Sequence, residues 1–145
     1  MSDRAKVIEM TNEEIIGVFE QGLAPGGEFH HADHIRVAFA YVSQYSVLEA
    51  LEKFSDALRR FAVARGKPQL YHETITWAYL FLIRERMVLA DHPQIWEEFA
   101  AQNPDLLTWE KGTGGILAQY YQTETLASPA ARMAFLLPDK VVSAS

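Results

Sequence analysis

The chain has no cysteine in its 145 residues. That absence removes disulfides, zinc–thiolate centres and thiol nucleophiles together. Positive charge is also short: 13 lysines and arginines stand against 19 acidic residues, a formal net charge of −6. A protein that grips nucleic acid or an anionic membrane wants a basic face, so neither partner is expected. No apolar run reaches the ~18–20 residues of a membrane span. The opening MSDRAKVIEM lacks the apolar core of a signal peptide, and a cytoplasmic location is the expectation. No stretch alternates apolar and polar residues between turn signals, so strands are not expected. The ready-made catalytic signatures are missing too: there is no HExxH, no paired ExxH of the di-iron bundles, no Walker A loop and no GxSxG. Gly112-Thr113-Gly114-Gly115 lacks both the preceding strand and the Lys-Ser/Thr ending of a phosphate loop, and reads as a turn.

What is there is helical periodicity. Thr11 and Glu14 fit a capping box opening a helix that turns Ile15, Ile16, Val18, Phe19 and Leu23 inward, with Pro25-Gly26-Gly27 as its stop. Phe29-His30-His31 opens a second helix running to about Tyr45. Ser46 and Glu49 open a third, striped by Leu48, Leu51, Phe54, Leu58, Phe61 and Ala62 and stopped by Gly66. Leu70 to Ala90 has no Gly or Pro and carries apolar residues in every direction, the mark of a helix covered on several sides. Asp91 and Pro93 predict the start of another helix, broken at Asn103-Pro104, with helical pieces at Ile116–Tyr121 and Ala130–Phe135. The fold class is therefore all-α. The expectation is a single domain over 1–145, a bundle of about five long helices and one or two short ones. Its buried central helix lies near 70–90, and residues 1–10 and 140–145 are loosely ordered.

Only five histidines occur, and four of them fall in two helix starts. His31 and His34, three residues apart, share one helical face with apolar neighbours and can converge on one point, as helix-borne metal ligands do. His72 and Glu73 open the central helix, with Thr76 one turn on and able to orient the His72 ring. If the two starts lie level, His31, His34, His72 and Glu73 make a mixed imidazole and carboxylate cluster. That donor set suits zinc, iron(II), manganese or nickel. In an enzyme version Glu73 is a ligand or the general base to a bound water, with Arg36, Tyr71, Thr76, Tyr120 and Tyr121 as substrate-binding residues. A second reading is a metal-free pocket for a small molecule or anion, with Arg36, Arg132 and helix N-termini as donors. A third is a structural helical protein that forms a homodimer, in which the histidines cap helices and Glu73 complements a helix dipole.

The phrases FHHADHIRVAF, YHETITWAYL, YYQTETLAS and AARMAFLLPD resemble those of a group of small, all-helical bacterial hypothetical proteins, over most of residues 29 to 139. The resemblance implies a helical fold and assigns no activity. A more distant similarity is to the metal-binding bundles of the DinB/YfiT type, which assemble three histidines from separate helices. Here two of the histidines share one helix start, and no HxxxH occurs late in the chain.

Overall fold

Helix starts in this chain are fixed by side chains that replace missing backbone partners. The computed structural model describes residues 10–109 and 115–140. Among these, α1 (Asn12–Glu20), α2 (His31–Gln44), α3 (Val47–Ala64), α4 (Glu73–Leu89), α5 (Trp96–Gln102), α6 (Pro104–Leu107), α7 (Thr123–Leu126) and α8 (Pro129–Met133) are α-helical, with 3-10 turns at Pro68–Leu70 and Gly115–Gln119 and no strand. Thr11 Oγ1 accepts from Glu14 N while Glu14 accepts from Thr11 N, closing the predicted capping box. Ser46 caps α3 through Glu49 N. At the other end of α3, Gly66 takes φ +71°. Gly66 N donates to Val63 O and Lys67 N to Ala62 O, a Schellman stop.

Packing departs from the expected hierarchy of helices. The most enclosed helix is α2, in which every residue from Ile35 to Val42 is buried, and which packs against α1, α3, α4 and α6. Helix α4 buries Thr74, Thr76, Ala78, Tyr79, Leu80 and Ile83 but leaves Phe81, Val88 and Leu89 exposed. Its even spread of apolar residues thus covers two environments: a buried stripe and an open outer face. Among the described residues only α1 to α4 are long, and α5 has seven residues.

Several boundaries shift for local reasons. Helix α1 ends before Gly22, at φ +82°, so Leu23 points off its end and is exposed. Leu48, expected inward, lies exposed beside a shallow groove shared with Leu51 and Trp77. Asp91 does not cap α5. Pro93 disfavours helical backbone in the residue before it, Ile95 takes the cap position, and Asp91 meets the His92 ring instead. Helix α8 ends at Met133 because Thr74 draws the chain out into an extended strap: Thr74 Oγ1 donates to Ala134 O and accepts from Leu136 N. The expected disorder at 1–10 and 140–145 falls almost wholly outside the described residues, as does most of the 112–115 turn. Among the described residues no helix is long and apolar enough to cross a membrane.

Candidate functional site

The two histidine-bearing helix starts meet. His31 and His34 on α2, His72 at the N-cap of α4 and Thr76 one turn into α4 line one cavity of about 730 Å³. Leu58, Phe61, Ala62, His72 and Thr76 form its buried wall. Phe29, Tyr71 and Ile75 are half-buried along its sides, while His30, Arg65, Lys67, Leu70, Trp109 and Arg132 are exposed around the mouth.

The three inner histidines differ in how many ring nitrogens are committed. His72 has both in use: Nδ1 accepts from Ile75 N, capping α4, and Nε2 donates 2.7 Å to Leu126 O. This fixes a neutral Nε2–H tautomer, positioned by backbone and not by the Thr76 hydroxyl. His31 has one in use, Nε2 lying 2.8 Å from Leu106 O. His34 has neither: its side chain makes no hydrogen bond among the described residues, and Nε2 is buried with no partner. An unsatisfied buried polar group costs about 1–3 kcal/mol, so His34 is the costly member of the set.

The rings around His34 explain its ionisation. Phe54 lies 5.3 Å away between centroids, Phe29 and His31 6.2 Å, and Tyr79 6.4 Å. Burial among these rings holds the His34 imidazole down to about 3, with the nearby His31 adding in the same direction. Burial also lowers His31, opposed by its bond to Leu106, and lowers His72, opposed by its bond to Leu126. The interior of the cavity is therefore neutral near pH 7.

Its mouth is not. Arg65 lies 4.7 Å over the Phe61 ring, and Arg132 Nη1 donates to Gln69 O across the rim. Among the described residues neither of these cations, nor Lys67, has a carboxylate partner. Among the described residues no aspartate or glutamate lines the cavity. Glu28, which meets His30 at 2.9 Å, stands outside the lining.

The remaining sequence-nominated residues sit elsewhere. Glu73, beside His72 in sequence, turns away to accept from Arg59 Nη2 at 2.8 Å and from the Tyr71 hydroxyl. Tyr71 is thus divided, its ring on the cavity wall and its hydroxyl outside, and burial raises that hydroxyl to about 12. Arg36 is buried on α2, with Nη1 2.7 Å from Asn12 Oδ1, where it ties the start of α1 to α2. The Tyr121 hydroxyl donates to Leu136 O, and the Tyr120 carbonyl accepts from Asp139 N and Lys140 N. Both tyrosines hold the C-terminal strap and neither lines the cavity. Arg65 and Lys67, on either side of the Gly66 stop, are not among the residues that the sequence nominates. The signal was two cations within a few residues of Tyr71-His72.

Among the described residues no group of three or more His, Cys, Asp or Glu side chains is placed to hold a metal ion. With His72 committed and Glu73 turned away, His31 and His34 are the imidazoles with nitrogen to spare. Comparison with protein-family models, with curated proteins and with solved structures finds no match.

Proposed function

We propose that this protein binds a small organic anion with an apolar, ring-bearing body, head outward, in the cavity between α2, α3 and α4. One observation carries the reading. In a chain of net charge −6, the cavity lining includes, among the described residues, three lysine or arginine side chains and no carboxylate. Cations without acid partners around a concave mouth focus the field on anions, and apolar walls with few polar groups are the usual make-up of a ligand pocket. The head belongs at the mouth because the interior offers no charged counterpart: His34 resists protonation, and an unpaired buried carboxylate is costly.

The test is calorimetric titration of the chelator-treated protein with benzoate, phenylacetate and 2-naphthoate beside their neutral amides. The acids bind, with affinity that falls as salt is raised, and Lys67→Gln and Arg132→Gln weaken them several-fold. Equal binding of acids and amides would sink the reading, as would no binding of either. The metal reading rests on His31 and His34 facing one cavity. It prevails if the untagged protein carries stoichiometric zinc, iron, manganese or nickel that is lost in His31→Ala and in His34→Ala.

A further inference from the structure

We infer that the ligand carries a second, neutral polar group, a hydroxyl or a carbonyl, at the end of its body opposite the anionic head, and that His34 receives it. The class is that of hydroxy- or oxo-substituted aromatic acids, and the inference rests on the anion-binding reading above. His34 is on the cavity lining and has no side-chain hydrogen bond among the described residues. A structural histidine in that position would be held as His72 is, with both ring nitrogens bonded to backbone. A residue needed only to fill space between Phe29, Phe54 and Tyr79 would be more stable as leucine or phenylalanine, which leave no buried polar atom unpaired. A neutral imidazole carries one donor and one acceptor. It therefore suits a hydroxyl or carbonyl and gives an anion no counter-charge. The mouth cations are exposed while the His34 Nε2 is buried, which sets the polarity of the ligand: charge outside, neutral polar group inside.

The experiment compares 4-hydroxyphenylacetate with 4-methylphenylacetate, which match in size and head group. Wild-type protein binds the hydroxy acid about tenfold more tightly, the scale of one well-made hydrogen bond to a site otherwise left unpaired. In His34→Leu the order levels or reverses, because the apolar analogue then meets an apolar wall. A second readout needs no variant: long-range proton–nitrogen NMR of the wild type shows the His34 ring nitrogens shifting with the hydroxy acid and not with the methyl one. Equal affinities for the two acids, with no selective shift at His34, overturn this inference while leaving anion binding intact. If neither acid binds, the anion reading fails and this inference fails with it.

Discussion

His72 and Leu126 stand 54 residues apart and are joined by a 2.7 Å hydrogen bond from Nε2 to the carbonyl. The same ring accepts from Ile75 N at 3.1 Å. One imidazole thus starts α4 and fastens the α7 end to it, which fixes where His72 stands on the cavity wall.

Replacement of His72 separates these two roles. His72→Ala removes the cap and the tether and lowers stability by about 2–3 kcal/mol, the sum of a lost N-cap and a lost buried hydrogen bond. Asparagine caps helices well but is too short to reach Leu126. His72→Asn therefore recovers about 1 kcal/mol of that loss. Urea denaturation of the three proteins measures both steps, and an alanine variant as stable as the asparagine one would contradict the capping role.

Acid should loosen the fold in a direction set by the histidines. His31, His34 and His72 are all held below their ordinary value of 6.5 by burial, His34 down to about 3. Below about pH 6.5 the unfolded chain takes up protons that the folded chain refuses, so stability is complete above that pH and falls as pH falls. His92, exposed and paired with Asp91 and Glu98, is shifted upward and works in the opposite sense at the surface. Urea midpoints measured near pH 7 and near pH 4.5 fall in the wild type, and fall less in His34→Leu. A midpoint that rises toward acid would contradict the assignment.

Gly115 holds the wall behind His31. Its φ is +61°, and a Cβ there would lie 2.6 Å from the Tyr79 hydroxyl and 2.9 Å from Thr108 O. The Tyr79 ring is 4.8 Å from His31. Gly115→Ala is expected to cost on the order of 2–4 kcal/mol from strain and overpacking together. It also weakens aromatic acid binding, because Tyr79 must move. Thermal melts and the titration above, run on the same sample, check both effects.

Arg86 makes a planar clasp at the far end of α4. Nη1 and Nη2 reach the two Asp105 oxygens at 3.0 and 2.8 Å, and Nη1 also meets Asn103 Oδ1 at 2.9 Å. Lysine cannot reproduce a two-pronged contact. Arg86→Lys should then lose nearly as much as Arg86→Ala, about 1 kcal/mol for a partly exposed bidentate pair. A lysine variant with wild-type stability would show that charge alone suffices.

The sequence by itself determined the helices, where their starts and stops are local chemistry. Thr11 with Glu14, Ser46 with Glu49, and Gly66 after Ala64 act through backbone groups three or four residues away, so their effect is legible without the rest of the chain. It also determined that His31, His34 and Thr76 face inward, because helical spacing sets direction. Only the tertiary structure decided what those side chains meet. Glu73 differs from His72 by one residue, yet a cation from α3, Arg59, draws it out of the site, while Leu126 holds His72 in. Helix α2, not α4, took the enclosed position: every residue from Ile35 to Val42 is buried, whereas α4 leaves Phe81, Val88 and Leu89 exposed. The cationic mouth is assembled from Arg65, Lys67 and Arg132, residues that periodicity places on exposed helix ends. Their meeting at one mouth is a long-range juxtaposition, which no local pattern encodes.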